Sequence, residues 1–158
     1  MENKFTLIIR KNVKVKSRQW FVKRLNDIRI TLGKFLKGKK RSLVKNSSLT
    51  IVITNNKEIK KLNLKFRKKN LPTDVLSFHL NDDKQITQRY IGDIIISSQY
   101  ARKNAVSNGV TIEYEILTLL VHGYLHLLGY DHIVPKEAKV MFKLQNRIIN
   151  ETWQKWKK

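Results

Sequence analysis

The feature that most constrains this chain is an apolar stretch, residues 120–132, which holds three of its four histidines. His122, His126 and His132 are spaced i, i+4 and i+10, and the apolar run around the first two predicts a buried helix that ends at Gly129. Residues four apart lie on one face of a helix, so His122 and His126 can direct their imidazoles to a single point.

Gly129 predicts how the third histidine reaches the same point. Glycine adopts the left-handed conformation at a helix C-terminus without a Cβ penalty, so the chain can fold back and bring His132 to the first two histidines. Three neutral imidazoles that converge are typical of a catalytic zinc site, which keeps a fourth position for water or substrate. A lone histidine in an apolar helix is more often a hydrogen-bonded core residue, but the third histidine after a helix-ending glycine favours the metal interpretation.

The spacing His-x-x-x-His-x-x-Gly-x-x-His also matches the ligand pattern of one class of zinc metalloproteases. That class places a glutamate directly after the first histidine as general base, whereas this chain has Gly123. Glycine can neither accept a proton nor orient a water molecule. The sequence therefore argues against peptide hydrolysis by that mechanism and leaves the general base unassigned.

Length and composition bound the remaining possibilities. A chain of 158 residues is the size of one ordinary domain, so we expect a single domain over residues 1–158. There is no cysteine, so a metal must be bound by histidine or carboxylate. No apolar run approaches the roughly 20 residues that span a bilayer, and the N-terminus does not resemble a signal peptide. We expect a soluble, cytoplasmic protein.

The net charge of +21 is unevenly distributed. Residues 1–69 contain 22 Lys and Arg against three acidic residues, Glu2, Asp27 and Glu58. A basic excess of this size attracts polyanions and releases their counterions on contact, which indicates a nucleic-acid partner. Compositional drift toward residues with A/T-rich codons is the alternative, and an anionic membrane surface is a third, weaker one.

The apolar periodicity predicts an α+β fold, in which a small four-stranded sheet is covered by helices. We expect the histidine helix to be the buried central helix, with the metal at its C-terminal end. Strands are predicted at residues 5–9, 49–54, 75–79 and 92–97, with the second strand in a central position. Helices are predicted at residues 19–37, from Asn55 to Arg67, at residues 98–108, after Thr111 and from Pro135.

Three segments are harder to interpret. Gly38 is predicted to end the first helix, and residues 38–48 form a basic loop that is either a solvated connection or an arm along a phosphate backbone. Asp82 and Asp83 are read as an exposed turn rather than as a metal site. Trp153 and Trp156 are expected to pack on the core rather than to stay exposed for base stacking.

Three sequence blocks resemble the YbeY family of bacterial ribosomal-RNA maturation endoribonucleases. They are Leu62-Asn63 with Phe66-Arg67 leading into Leu-Pro-Thr-Asp-Val-Leu-Ser-Phe at 71–78, Ile-Gly-Asp-Ile at 91–94, and His-Gly-Tyr-Leu-His-Leu-Leu-Gly-Tyr-Asp-His at 122–132. The resemblance covers roughly residues 50 to 150, and the first fifty residues match only loosely. Two departures, Lys69-Asn70 and His79, bear on loop geometry rather than on a ligand.

The resemblance implies a small mixed sheet with surrounding helices. It also implies a zinc-dependent endoribonuclease that prefers single strands and acts in 16S ribosomal RNA 3′-end maturation and ribosome quality control. It implies one zinc ion per chain, with His122, His126 and His132 as ligands, and catalytic roles for Arg67 and His122. Its expected partners are single-stranded RNA, small-subunit ribosomal RNA, ribosomal particles and ribosome-associated proteins, but no membrane.

Several alternatives stay open. Arg67 could form a structural salt bridge, for example with Asp74, instead of stabilising charge on a phosphate. The nucleophile could be water or the 2′-hydroxyl of the RNA. Asp131 is expected to fix the loop or to orient a histidine, and Asp93 to be structural. The other functional classes are a non-catalytic, zinc-stabilised RNA-binding assembly factor and a zinc hydrolase of another substrate.

Overall fold

The sheet is mixed and has four strands within the part of the chain that the structure describes. The structure is a computed structural model that describes residues 4–79 and 90–158. The strands are β1 (Phe5–Ile9), β2 (Ser48–Thr54), β3 (Val75–His79) and β4 (Tyr90–Ser97). Their order is β1-β2-β4-β3, with β2 parallel to both β1 and β4, and β3 antiparallel to β4. The predicted α+β fold with a four-stranded mixed sheet is confirmed, and β2 is a central strand as expected.

Six helices cover this sheet within the described ranges. They are α1 (Arg18–Phe35), α2 (Gly38–Asn46), α3 (Asn56–Arg67), α4 (Ser98–Asn108), α5 (Ile112–Leu127) and α6 (Pro135–Trp156). The two predicted N-caps are confirmed, since Asn55 Oδ1 accepts a hydrogen bond from the Glu58 backbone N–H at 2.9 Å and Thr111 Oγ1 accepts one from the Tyr114 N–H at 3.2 Å.

The sheet is covered on both faces because its strands alternate between two apolar clusters. The larger cluster joins the strands to α1, α5 and α6, and its sheet residues include Leu49, Ile51, Ile53, Ile94 and Ile96. The smaller cluster joins Ile59 of α3 to Leu76 and Ile95. Helix α5 lies in the larger cluster, where ten of its sixteen residues are buried. The histidine helix is therefore the buried central helix that the sequence predicts.

The segment that follows α1 differs from the prediction. Helix α1 ends at Phe35, and Gly38 begins a second helix instead of ending the first, so the basic loop predicted for residues 38–48 is wrong. Gly38 has a φ of +55°, which turns the chain between the two helices. Val44 is only 1% exposed, and its packing in the main core stabilises α2, in which four of nine residues are basic.

The C-terminal tryptophans pack on the core, as predicted. Trp153 contacts Tyr114 with ring centroids 5.1 Å apart, and Trp156 contacts Trp20 at 5.4 Å. The Arg24 guanidinium lies 4.9 Å from the Trp156 ring. This cluster fixes the end of α6 against α1, so the tryptophans serve the fold.

Two sequence expectations concern other parts of the chain. Asp82 and Asp83 lie outside the described residues. Within residues 4–79 and 90–158, no helix combines the length and the apolar character needed to cross a membrane.

Candidate metal centre

Helix α5 ends in a turn that points the chain back toward its own histidines. The Gly129 N–H donates to the His126 carbonyl at 2.9 Å, and the Tyr130 N–H donates to the Leu125 carbonyl at 3.0 Å. These two bonds form a Schellman motif, in which the residue after the C-cap is left-handed. Gly129 has a φ of +86°, as the motif requires. The predicted role of Gly129 is confirmed.

The turn brings the three histidines together. Ligand nitrogens of His122, His126 and His132 all lie within 4.8 Å of one another. The ring centroids are 4.6, 5.4 and 5.0 Å apart in the three pairs, and the His132 ring stacks on Phe142 at 5.8 Å. His122 and His126 are half-buried, whereas His132 is exposed. The candidate metal centre is therefore open to solvent on the side of His132.

Gly123 allows α5 to approach the sheet closely. A Cβ atom at this position would lie 2.9 Å from Ile94 Cγ2 and 3.1 Å from Ser77 Oγ, closer than real Cβ atoms normally come. A glutamate directly after His122 would therefore point into the helix–sheet contact and away from the metal centre. The packing gives a physical reason why this chain has no general base at the position where the metalloprotease pattern has one.

Gln145 of α6 holds the first histidine. His122 Nδ1 and Gln145 Oε1 are 2.8 Å apart, and because an amide oxygen can only accept, the imidazole N–H must donate. Gln145 is only 8% exposed. The bond leaves the Nε2 lone pair of His122 available, which is how buried polar partners fix metal-binding histidines. The sequence analysis missed this residue, although a polar side chain between Met141 and Ile148 on the buried stripe of α6 was a signal.

The nitrogen geometry fits a metal ion. The Nε2 atoms of His122 and His126 are 3.1 Å apart, which is close to the separation of about 3.3 Å between two ligand nitrogens of a tetrahedral zinc ion. Burial lowers the pKa of both imidazoles, and the neighbouring histidines lower the pKa of His126 further. The neutral forms, which are the forms that bind metals, therefore prevail at neutral pH. These three residues could hold a metal ion.

Two further contacts fix the loop that carries His132. The carboxylate of Asp131 accepts a hydrogen bond from the His132 backbone N–H at 2.6 Å, so Asp131 stabilises the loop, one of its two predicted roles. Lys40 of α2 places its Nζ 3.7 Å from the centre of the Tyr130 ring. The basic helix α2 is therefore in direct contact with the loop that carries His132.

Asp93 lies in strand β4, away from the three histidines in sequence. The Tyr90 hydroxyl donates a hydrogen bond to its carboxylate, and it contacts Thr50 of the neighbouring strand as well. These contacts tie two central strands together, which agrees with the structural role expected for Asp93.

Arg67 is the last residue of α3, on the other face of edge strand β3 from α5. Phe66 contacts Phe78 at 5.0 Å, and the strand end next to Phe78 approaches α5, since a Cβ at Gly92 would lie 3.0 Å from Leu127. Arg67 thus lies at the same end of the sheet as the histidines. Within the described residues it is exposed and forms no ion pair, so the alternative salt bridge to Asp74 is absent there.

Asp74 has other partners. Its carboxylate accepts hydrogen bonds from the Val75 N–H at 2.8 Å and from Asn104 Nδ2 at 3.2 Å. The same Asn104 nitrogen lies 3.2 Å from the carboxylate of Glu115, a buried residue, and burial raises the pKa of this carboxyl group. Asp74 therefore connects the start of β3 to α4 and α5 instead of pairing with Arg67.

The fold and the site together define a class of small α+β proteins, in which a buried helix presents two histidines of a three-histidine metal centre. A family model described as Endoribonuclease YbeY matches residues 12–153. A protein named Endoribonuclease YbeY from Sulfurihydrogenibium sp. is 46% identical over 107 residues, 67% of this chain and 70% of the relative. Another of that name from Pelagibacter ubique is 39% identical over 130 residues, 80% of this chain and 84% of the relative.

A solved structure agrees with these sequence matches. The solution structure of TM1509 from Thermotoga maritima is 27% identical, with a TM-score of 0.62 over 97% of this chain and 91% of that chain. The chain belongs to the YbeY endoribonuclease family. The family resemblance expected from the three sequence blocks is confirmed.

Proposed function

We propose that this chain is a single-strand-specific, zinc-dependent endoribonuclease that acts in 3′-end maturation of small-subunit (16S) ribosomal RNA and in ribosome quality control. The observation that carries the proposal is the convergence of three histidine ligand nitrogens within 4.8 Å in a member of an endoribonuclease family. The proposed unit is a single domain over residues 1–158, with its more basic segment in residues 1–69.

The proposed cofactor is one zinc ion per chain, held by His122, His126 and His132. The donor set supports zinc, because three imidazole nitrogens suit this metal, whereas magnesium and calcium prefer oxygen ligands. When bound, zinc supplies a Lewis acid for a phosphoryl oxygen and lowers the pKa of water. Gln145 supports this role by holding the first imidazole in the tautomer that keeps Nε2 free.

We assign catalytic roles to His122 and Arg67. His122, fixed by a buried partner, sets the orientation of the metal centre, and Arg67 stabilises the negative charge that develops on the phosphoryl oxygens during cleavage. A guanidinium remains protonated and can grip two oxygens at once. Its exposure and its position at the histidine end of the sheet leave its donors available to a substrate.

The proposed partners follow from charge and family. The basic residues of segment 1–69 attract the phosphates of single-stranded RNA largely without regard to sequence, so small-subunit ribosomal RNA within ribosomal particles is the proposed substrate. Ribosome-associated proteins are proposed to direct the enzyme to its cleavage site. This substrate places the protein in the cytoplasm.

The central experiment uses protein of defined metal content. Zinc-loaded and chelator-treated protein are incubated with precursor small-subunit RNA and with immature ribosomal particles, and new RNA ends are mapped. We expect new 3′ ends only with the loaded protein. Cleavage at full rate by metal-free protein would remove the metal from the mechanism.

The same experiment separates the alternative, a zinc-stabilised RNA-binding assembly factor without catalysis. Such a factor would bind the particles and keep its metal, yet would produce no new ends. Peptide and phosphomonoester substrates tested in parallel would reveal a zinc hydrolase of another class.

Arg67→Glu tests the proposed role of the guanidinium. We expect the variant to keep its zinc and to cleave RNA about a hundredfold to a thousandfold more slowly, the usual cost of losing a charge-stabilising donor. Lys60→Glu, on the same helix and equally exposed, makes the same change in charge and serves as the matched control. Equal rates in the two variants would show that Arg67 contributes only general charge.

A further inference from the structure

Helices α1 and α2 form a groove of about 290 Å³ whose walls are basic. The four cations that line it are Arg29, Lys34, Arg41 and Lys45, and its described lining contains no acidic residue. Lys34 is paired with Glu151 at 2.7 Å, whereas the other three side chains form no ion pair within residues 4–79 and 90–158. Three uncompensated positive charges therefore face a single concave surface.

Arg29 contributes its positive charge to the groove from the side of α1. The residue is partly buried, and it forms no ion pair within the described residues. Arg41 and Lys45 face it from α2, and both are exposed. Guanidinium and ammonium groups form strong, charge-assisted hydrogen bonds with phosphate oxygens, so this lining suits a phosphate group.

The shape of the groove limits the size of its ligand. Gly33 lies in its floor, and a Cβ atom built there meets nothing within 4 Å. Val44, which is buried, and Ile30, which is exposed, form the apolar part of the lining. The volume is close to the lower end of small-molecule pockets, about 300 Å³. A groove of this size suits one nucleotide, with the phosphate against the cations and the sugar over the open floor.

Helix α2 connects the groove to the metal centre. Lys40 contacts the ring of Tyr130, two residues before His132, and Arg41 follows directly in the groove. Lys45, which also lines the groove, is five residues after Lys40, or about 7.5 Å along the helix axis at 1.5 Å per residue. One short basic helix therefore runs from the loop that carries His132 to the groove.

We propose that the α1–α2 groove binds a backbone phosphate of the RNA strand, one or more nucleotides away from the linkage held at the histidines. The inference rests on the proposed function, because it takes RNA as the substrate, and it assigns the groove a specific part in holding it. The groove acts by binding and touches no reacting atom.

Gly33→Glu and Gly33→Gln form the sharpest test, since the two side chains have nearly the same size and differ in charge. Binding of a fluorescent single-stranded 12-nucleotide RNA is measured by anisotropy in the His126→Ala background, where cleavage is not expected to interfere. We expect the glutamate to weaken binding about tenfold more than the glutamine, and this difference to shrink as salt screens the charges. Equal affinities for the two variants would overturn the proposal.

Arg41→Ala provides a second, independent measurement. If Arg41 contacts a phosphate, the slope of log affinity against log salt should become shallower by about 0.7, the value for one phosphate contact on a single strand. Lys103→Ala, on α4 and outside the groove, removes one charge elsewhere and should leave the slope nearly unchanged. A slope that responds equally to both substitutions would show diffuse attraction instead of a site.

Substrate length separates this proposal from the proposed function. In Gly33→Glu with its histidines intact, cleavage of the 12-nucleotide RNA should fall by a larger factor than cleavage of a dinucleotide, because the dinucleotide has no second backbone phosphate to bind in the groove. A defect of equal size on both substrates would overturn the groove assignment. If the unmodified protein cleaves neither substrate, the proposed nuclease function fails, while the binding measurements still decide whether the groove holds phosphate.

Discussion

The candidate metal centre is held mainly by buried contacts, whereas most of the side chains that line the α1–α2 groove are exposed. At the candidate metal centre, α5 is buried and packs closely on the sheet at Gly123, and a buried glutamine holds the His122 imidazole. The hydrogen bond to Asp131 fixes the loop that carries His132. In the groove, charges on two helices surround open space, and only Arg29 among the four cations is partly buried. Substitutions of the histidines should therefore abolish metal binding. Substitutions in the groove should weaken RNA binding gradually and in a salt-dependent manner.

The largest expected effect is that of His126→Ala. Removal of one of three ligands should lower the bound metal from one ion per chain to less than a tenth, and RNA cleavage about a thousandfold, or about 4 kcal/mol. Metal content is measured by elemental analysis after dialysis. His79→Ala removes the exposed histidine at the end of β3 and should keep the metal. Full occupancy in His126→Ala would contradict the three-histidine site.

Gln145→Leu should weaken metal binding without removing a ligand. Loss of the hydrogen bond to His122 Nδ1 frees the ring to rotate, and such partners typically contribute 10- to 100-fold in metal affinity. A competition titration with a fluorescent zinc chelator measures the change. Gln145→Glu keeps an acceptor at the same position and should recover most of the affinity. If leucine and glutamate behave alike, the bond does not orient the ligand.

Two helical glycines provide a direct contrast between packing and open space. Gly123→Ala should destabilise the fold by about 1–3 kcal/mol, because its Cβ meets Ile94 and Ser77 at 2.9 and 3.1 Å. Gly33→Ala places its Cβ in open space within a helix and should stabilise the fold by about 0.5–1 kcal/mol. Urea denaturation gives both values. A neutral or stabilising effect of Gly123→Ala would mean that this contact relaxes easily, and a destabilising effect of Gly33→Ala would contradict the open space there.

The smallest expected effect is the pH dependence of the metal-free protein. Burial lowers the pKa values of His122 and His126 in the folded state, so below the ordinary value of about 6.5 the unfolded chain binds more protons. The histidines' contribution to stability should be complete above pH 6.5 and be lost as the pH falls through the folded pKa values. Urea midpoints of chelator-treated protein between pH 5 and 8 measure this. His126→Ala should show a weaker dependence.

The sequence predicted the convergence of the three histidines better than the structure of the basic segment at residues 38–46, and the reason is local periodicity. The histidine spacing, the apolar run and Gly129 act within thirteen residues, so helix and turn follow from chemistry along the chain. Thr111 likewise caps the helix through a group three residues away. Three sequence blocks also sufficed to recognise the family.

What the sequence did not reveal depends on contacts between distant segments. Residues 38–46 read as a loop because lysines and arginines dominate them, and only the burial of Val44 against other helices makes the segment a stable helix. Gln145 is 23 residues from His122 and meets it only after α6 has packed on α5. The sequence showed only that Gly123 stands where the metalloprotease pattern has its general base. The structure gives the reason, because the sheet lies too close to this position for a side chain.

Because two of the three histidines lie in the last two turns of α5, the backbone itself contributes to the electrostatics of the site. The peptide dipoles of a helix sum to roughly half a negative charge at its C-terminus. That end attracts a cation and repels an approaching phosphodiester. A bound divalent cation would offset this negative charge, so the metal-free protein should bind the RNA backbone less tightly at this point than the metal-loaded protein.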